Sequence, residues 1–173
     1  SREMILEILL EIEEGEHSHV AIRNALSKYQ FLPKQDRAFI TRVCEGTLEY
    51  RIQIDYIINS FSKVTVDKMK PAIREILRSA VYQLKYMDSV PDSAVCNEAV
   101  KLAQRKGFYN LKPFVNGVLR TIAREMDQVR FPQKEDDLLK YLSVKYSMPE
   151  VLVTRWLEAY GEETTEKILA DFL

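Results

Sequence analysis

Basic side chains recur at helical spacing in the middle of the chain, and they are the residues best suited to a chemical task. Positions four residues apart lie on the same side of an α-helix. A row of lysine and arginine there can neutralise neighbouring phosphates of a nucleic acid. Three groups have this spacing or adjoin it, and we predict all eight residues as phosphate contacts: Lys70, Arg74 and Arg78, then Lys101, Arg105 and Lys106, then Arg120 and Arg124.

The same residues also have a simpler interpretation as solvated helix flanks. Lysine and arginine normally lie on exposed faces, and Glu75, Glu98 and Glu125 are close enough in sequence to pair with some of them. Arg78 and Asn116 adjoin positions that we predict to be buried, so both are also candidates for hydrogen bonds that tie helix ends together. The sequence leaves both interpretations open.

The distribution of charge favours a basic surface. The chain of 173 residues has a formal net charge of −1, yet residues 101–134 contain 8 Lys or Arg and only 2 Asp or Glu. Because the field near a surface depends on local charge, such a chain can still attract phosphates. Nearby aromatic residues suit stacking on unpaired bases. Helical spacing favours a core position for Tyr82, with Tyr86 one turn later, whereas Phe108 and Tyr109 follow a predicted helix end and are expected to be exposed.

No combination of side chains predicts a catalytic or metal site. Cys44 and Cys96 are far apart, belong to no C-x-x-C motif, and fall on or beside apolar helical faces, which predicts buried core thiols. His17 and His19 provide too few ligands for a metal ion. The 5 glycines form no G-x-G-x-x-G motif or P-loop. We therefore predict no catalytic residue, no metal and no cofactor in this chain.

Composition excludes several classes of protein. With 5 Gly and 6 Pro, the chain is poor in turn formers, which disfavours a β-sandwich and favours long helices. No run of roughly 18 apolar residues predicts a membrane span, and no signal-peptide pattern opens the sequence. Two isolated cysteines indicate a reducing compartment. We expect a cytoplasmic protein without membrane contact.

Three consecutive helices must position the basic groups. Pro71 suits the first turn of the first helix, Asp92 is predicted to cap the second, and Gly107 is predicted to end it. Pro113 opens the third helix. Each has apolar side chains at three- and four-residue spacing, so each is predicted to pack against other helices.

Helices are also predicted before this centre. The first ends at Gly15, and the second begins at Ser18. A long helical segment over residues 35–61 is predicted to bend near Gly46 or Arg51.

Another helical region follows the centre. Residues 131–133 form a linker, and a short helix is predicted over 136–146. Ser147 and Glu150 then have the spacing of a capping box for a helix that ends at Gly161.

These elements resemble the NusB-type RNA-binding fold. The resemblance rests on EILRSAVYQLKYMDSVPDSAVCNEAVKLA at 75–103, on FVNGVLRTI at 114–122 and on DRAFITRVCEGTLEYRIQIDYII at 36–58. Within them, Tyr82-Gln83-Leu84 and Gly117-Val118-Leu119-Arg120 are similar to the amino-terminal domain of Sun/RsmB-type 16S rRNA cytosine-C5 methyltransferases. YLSVKYSMPEVLVTRWLEAYG at 141–161 resembles the segment that leads to the catalytic domain in those enzymes.

The resemblance implies an all-α, NusB-like antitermination-factor helical bundle over residues 1–130. Residues 131–173 are then a short helical linker region that leads to a methyltransferase domain absent from this chain. The implied partners are 16S rRNA and that domain in cis, and S-adenosylmethionine is expected to bind to the absent domain. The fragment alone is expected to be inactive.

Two other functions stay open. One is a free-standing NusB-type transcription antitermination factor, which binds RNA with a protein partner. The other is a helical protein-interaction module that does not contact RNA.

Overall fold

The computed structural model describes residues 1–172, which contain α-helices and short 3-10 turns but no β-strand. The predicted all-α fold is confirmed. The helices are α1 (Arg2–Glu13), α2 (Ser18–Lys28), α3 (Lys34–Glu49), α4 (Arg51–Phe61), α5 (Pro71–Tyr86), α6 (Asp92–Arg105), α7 (Lys112–Glu125), α8 (Leu138–Tyr146) and α9 (Glu150–Phe172).

Helix α5 lies at the centre of the bundle, because α1, α3, α4, α6 and α7 all pack against it. Its predicted apolar stripe is buried at Ile73, Ile76, Leu77 and Ala80, and the last predicted member, Leu84, is half-buried. The stripes of the other helices meet it in one continuous core that extends along the chain from Ile5 to Ile122. Burial of these faces is the main source of stability for helices of this length.

The helix ends next to the basic groups follow the local signals closely. Pro71 is the first residue of α5, as predicted. Gly107 has φ +87°, and its N–H donates to the Gln104 carbonyl while the N–H of Phe108 donates to the Ala103 carbonyl. This is the Schellman arrangement that ends a helix at glycine.

One capping prediction is wrong. Pro91 occupies the cap position of α6 in an extended conformation, and Asp92 is the first helical residue without a side-chain cap bond. The fixed φ of Pro91 already breaks the chain direction, so the helix begins at Asp92, one residue earlier than the cap prediction required. The Asp92 carboxylate still lies in the first turn, where the helix dipole favours negative charge.

The long segment over residues 35–61 is divided at Tyr50, which lies between α3 and α4 with φ −101° and ψ 18°. This is the bend predicted near Arg51. Gly46, one turn earlier, lies directly under the ring of Tyr82, which leaves no room for a Cβ atom. The glycine therefore allows α3 and α5 to approach closely.

A second, smaller core joins α8 to α9. Leu142, Val153 and Leu169 are fully buried there, and Trp156 and Leu157 pack against them. The backbone of α9 is non-helical at Gly161, with φ 78° and ψ 173°, so α9 consists of two helical segments joined at this residue. The predicted end of a helix at Gly161 is therefore confirmed, and the second segment packs back onto the same core through Leu169. We call residues 131–172 the appended unit.

The appended unit is attached to the bundle through Ser147, whose predicted role is wrong. Ser147 does not cap α9; it ends α8 in the left-handed region with φ 52°. Its hydroxyl accepts hydrogen bonds from the N–H groups of Ile52 (3.0 Å) and Gln53 (3.3 Å), in the first turn of α4. Because α8 packs on α4, the hydroxyl supplies the acceptor that α4 lacks at its own cap position.

Further contacts close the same junction. The Tyr56 hydroxyl donates to the Arg130 carbonyl (2.6 Å), and the Tyr56 and Phe131 rings are stacked with centroids 5.7 Å apart. Among residues 1–172, no helix combines the length and apolar character needed to cross a bilayer.

Candidate nucleic-acid interface

Two of the predicted contacts on α5 are engaged within the bundle. Arg78 donates to both carboxylate oxygens of Asp55 on α4 (2.8 and 2.9 Å) and to Glu75 (2.7 Å), and its side chain is only 11% exposed. Arg74 pairs with Glu13 on α1 and donates to the Met69 carbonyl. These contacts match the alternative prediction for Arg78, in which it ties helices together.

The buried carboxylate explains why Arg78 is held in place. Burial raises the pKa of the Glu75 carboxyl above its ordinary value, and the Arg78 guanidinium opposes that shift. Removing one partner of such a buried pair leaves a charge without compensation, which typically destabilises a protein by about 3–5 kcal/mol. Lys70 differs from both arginines, since it precedes α5 and is exposed.

Helices α6 and α7 form an antiparallel hairpin that carries the other predicted contacts. Arg120 bridges the pair by donating to Asn97 (2.8 Å) and to Asn116 (3.1 Å). Lys112 donates to Gln104 (2.8 Å) at the other end. The pairing thus places Arg120 and Arg124 near the open end of the hairpin and Arg105 near its turn. A helix of 14 residues is about 21 Å long, so the structure forms no single cationic surface from all eight residues.

A local group does form at the turn of the hairpin. It includes Tyr109, which is 64% exposed and whose ring centroid lies 4.6 Å from the Lys112 ammonium. Phe108 is half-buried against the core, so only Tyr109 of the predicted exposed pair has a free ring face. We call Lys101, Arg105, Lys106, Tyr109 and Lys112 the turn cluster.

Lys112 was missing from the predicted set. It does not share a helical flank with another basic residue, and only the fold brings it opposite Gln104. Its position directly before Pro113, at the start of α7 and beside Tyr109, was the available signal.

Acidic residues of α1 partly neutralise the turn cluster. Glu3 lies 3.8 Å from Arg105 and 3.6 Å from Lys106, which also lies 3.8 Å from Glu7. Lys101 pairs with Glu98 at 3.5 Å on its own helix. These pairs are solvent-exposed and long, and such pairs contribute only about 0–1 kcal/mol. A phosphate can therefore replace the carboxylates with little loss of stability.

Arg124, at the open end of the hairpin, also has a weak ion pair. Its side chain is 69% exposed, and within residues 1–172 its ion-pair partner is the neighbouring Glu125, at 3.4 Å. Whether it or the turn cluster contacts RNA stays a prediction.

The other two aromatic residues considered for base stacking, Tyr82 and Tyr86, are structural. Tyr82 is buried in the core, as predicted. Tyr86 stacks on Tyr50 with centroids 4.4 Å apart, and its hydroxyl donates to Gln53. Burial is the main cause that raises the pKa of Tyr86 above its ordinary value, so its hydroxyl stays neutral.

The two thiols are buried in the core, as predicted. Burial raises the pKa of the Cys44 thiol to about 12, which leaves almost no thiolate at neutral pH. Within the described residues, no cluster of three or more potential ligands is arranged to hold a metal ion.

Comparisons with known proteins agree with this architecture. A family model described as the NusB family matches residues 1–124. The probable ribosomal RNA small subunit methyltransferase B of Bacillus subtilis is 35% identical over 96% of this chain. The match covers 37% of that protein, so the chain spans less than two fifths of the relative's length.

Other relatives are named as free-standing factors. The transcription antitermination protein NusB of Dictyoglomus thermophilum is 33% identical over 75% of this chain and 85% of its own length. Among solved structures, the complex of antitermination factors NusB and NusE with dsRNA contains a chain of the same fold. That chain is 21% identical with a TM-score of 0.65, over 71% of this chain and 92% of its own length. The protein described here belongs to the NusB family.

Proposed function

We propose that this chain is the RNA-binding unit of a 16S rRNA cytosine-C5 methyltransferase, and that it positions ribosomal RNA for a catalytic domain elsewhere in a longer protein. The appended unit carries this proposal. The methyltransferase relative matches 96% of the chain, whereas the antitermination relative matches 75%. The NusB family model ends at residue 124, before the appended unit, whereas a match over 96% of the chain must include most of that unit. Ser147 attaches the unit to the first turn of α4.

The turn cluster is the surface best suited to RNA. Lys101, Arg105 and Lys106 are held only by long ion pairs, Lys112 is held by a hydrogen bond to the neutral Gln104, and the Tyr109 side chain is exposed beside Lys112. Exposed aromatic rings beside Lys and Arg are a common way to hold RNA, since the ring stacks on a base while the cations pair with phosphates. A NusB chain of the same fold has been solved with dsRNA.

The chemistry belongs to another part of the protein under this proposal. S-adenosylmethionine would bind to a carboxy-terminal methyltransferase domain in cis, which supplies the methyl transfer. Cys44 and Cys96 are unsuited to a nucleophilic role because both are buried in the bundle core. The bundle contributes binding and orientation.

A free-standing antitermination factor is the second candidate. The observation in its favour is the NusB relative that the chain covers for 85% of its length. This candidate leaves the appended unit without a purpose, although that unit has its own core and a hydrogen-bonded junction. The full reading frame distinguishes the two, because a downstream domain with a cofactor loop supports the methyltransferase and its absence supports the factor.

RNA binding itself is tested by fluorescence anisotropy with labelled fragments of 16S rRNA over a series of salt concentrations. Arg105→Glu with Lys112→Glu should weaken binding more than Lys28→Glu with Lys63→Glu, a control with the same charge change at exposed lysines on other helices or loops. The slope of log K against log salt should also fall by roughly 0.7 for each lost phosphate contact.

Equal losses in both pairs would show that a diffuse field, and not the turn cluster, attracts RNA. Absence of binding by the unmodified chain, even at low salt, would contradict the proposal and favour a protein-interaction module.

A further inference from the structure

A cleft at the junction between the bundle and the appended unit has features of a ligand site. It has a volume of about 210 Å³ and is lined from both sides. The bundle contributes Lys85, at the end of α5, and the appended unit contributes Phe131, Gln133, Tyr141 and Lys145. We call it the junction cleft.

Lys85 is the unusual residue of the junction cleft. Its ammonium lies 5.4 Å from the centroid of the Tyr86 ring and 5.5 Å from that of the Phe131 ring. Within residues 1–172, it forms no ion pair with a carboxylate. The side chain is half-buried, so a cation is held at the wall of the cleft by ring faces and without a counterion.

Lys145 provides a second cation to the junction cleft. It donates to the Tyr141 hydroxyl at 2.9 Å, and its ammonium lies 5.2 Å from the centroid of that ring. Its only acidic neighbour among the described residues is Glu166, at 3.5 Å. The Lys145 side chain is 50% exposed, and Glu166 also pairs with Lys134 at 3.4 Å, so the Lys145 ammonium can be shared with an incoming anion.

The remaining side chains of the junction cleft suit a ligand with a planar ring and polar edges. Tyr141 and Phe131, whose ring is stacked on Tyr56 on one side, provide aromatic walls, and Gln133 provides an amide. Two cations beside aromatic walls match a nucleotide, in which a planar base and a phosphate are joined by a sugar. A base within a duplex is stacked on both sides and is unavailable to such walls, so the match is to an unpaired nucleotide.

We propose that the junction cleft binds one unpaired nucleotide of single-stranded RNA, with the base against Phe131 and Tyr141 and a phosphate paired with Lys85 and Lys145. This inference rests on the proposed function, since it assigns a second contact to the same RNA. It also gives the appended unit a direct role in binding, because four of the five named residues belong to it. A family member that lacks the unit lacks the site.

The test uses the whole chain and a fluorescent oligouridylate, which stays single-stranded. Lys85→Met should lower the affinity and reduce the salt slope by roughly 0.7, as expected for one lost phosphate contact. Phe131→Leu keeps an apolar contact with Tyr56 but removes the stacking ring, and should weaken binding about fivefold or more without changing the slope. Lys140→Met is the matched control, since Lys140 is exposed on α8 outside the cleft.

Cross-linking with an oligonucleotide that carries 4-thiouridine provides a second readout. Peptide mapping should locate cross-links within residues 131–145 in the unmodified chain and fewer of them in Phe131→Leu. A duplex of the same length should cross-link little at these residues. Circular dichroism of each variant establishes that it is folded, and cross-links from the unmodified chain do not depend on any variant.

Each outcome decides the question. If the chain binds RNA, but Lys85→Met behaves as Lys140→Met and no cross-link falls in 131–145, the junction cleft is not an RNA site and the proposed function survives. If the unmodified chain binds no RNA, both proposals fail. Displacement of the RNA by an acidic aromatic peptide whose binding needs Lys85 would also overturn the inference and assign the cleft to a protein partner.

Discussion

Replacing Ser147 by alanine removes one hydroxyl that serves two parts of the molecule. In the native chain this oxygen accepts hydrogen bonds from the backbone N–H groups of Ile52 (3.0 Å) and Gln53 (3.3 Å). Helix α4 has no side-chain cap of its own, because Tyr50 occupies its cap position. The alanine variant therefore leaves two partly buried donors of the first turn without an acceptor.

The expected loss of stability is that of removing a helix N-cap. Removing a Ser cap costs about 1 kcal/mol, within a range of about 0.5–2. For a chain of this size, 1 kcal/mol lowers the Tm by roughly 2–4 °C. The backbone conformation supplies an internal comparison, since Ser147 has φ 52°. Glycine adopts this region without strain, so Ser147→Gly should lose the cap but regain about 1 kcal/mol, and its Tm should stay near that of the native chain.

Thermal unfolding followed by circular dichroism and hydrogen exchange followed by NMR test this reasoning together. Ser147→Ala should lower the Tm and accelerate exchange at the amides of Ile52 and Gln53. Ser27→Ala, at an exposed serine on α2, is the control and should do neither. If Ser147→Ala leaves both the Tm and the two exchange rates unchanged, the hydroxyl does not cap α4 and the junction described here is wrong.

Two further variants and one labelling experiment test the core of the bundle and its boundary with the appended unit. Arg78→Met should destabilise the chain by about 3–5 kcal/mol by leaving Glu75 unpaired. Burial already raises the pKa of the Glu75 carboxyl, so the folded state takes up a proton at a pH where the unfolded state does not. The free energy of unfolding, measured with urea, should therefore partly recover as the pH falls from 7 towards 4.5. A chain ending at Arg130 should still unfold cooperatively in calorimetry, at a lower Tm because α4 loses its cap; a gradual transition would show that the bundle needs the appended unit. Cys44, with a thiol pKa raised to about 12, should resist iodoacetamide until the chain is unfolded, and rapid labelling of the native chain would contradict its burial.

Features that depend on a few neighbouring residues were predictable. Pro71 begins a helix because its missing N–H has no partner to lose there, and Gly107 ends one because it adopts φ +87° freely. The apolar stripe of α5 is buried as its spacing requires. In each case the physical cause lies within one or two helical turns, so the sequence alone contains it.

Features that depend on how distant helices pack against one another were not predictable from the sequence. Ser147 has the local spacing of a capping box, but the helix it caps lies about 95 positions earlier in the chain. Glu3 and Glu7 neutralise Arg105 and Lys106 only because α1 packs beside α6. Neither relation has a local signature, and both required the tertiary arrangement of helices.

The energy lost on breaking each cation's ion pair indicates how readily that cation can contact RNA. A hydrogen bond to a charged group contributes about 1.5–3 kcal/mol, less than the roughly 3–5 kcal/mol lost when a buried pair such as that of Arg78 is broken. Exposed pairs such as that of Arg105 lose at most about 1 kcal/mol, so phosphate can compete with their carboxylates. Lys85 and Lys112 have no carboxylate partner to lose within the described residues. Affinity for RNA should therefore depend on isolated cations beside aromatic rings more than on the regular rows that the sequence displays most clearly.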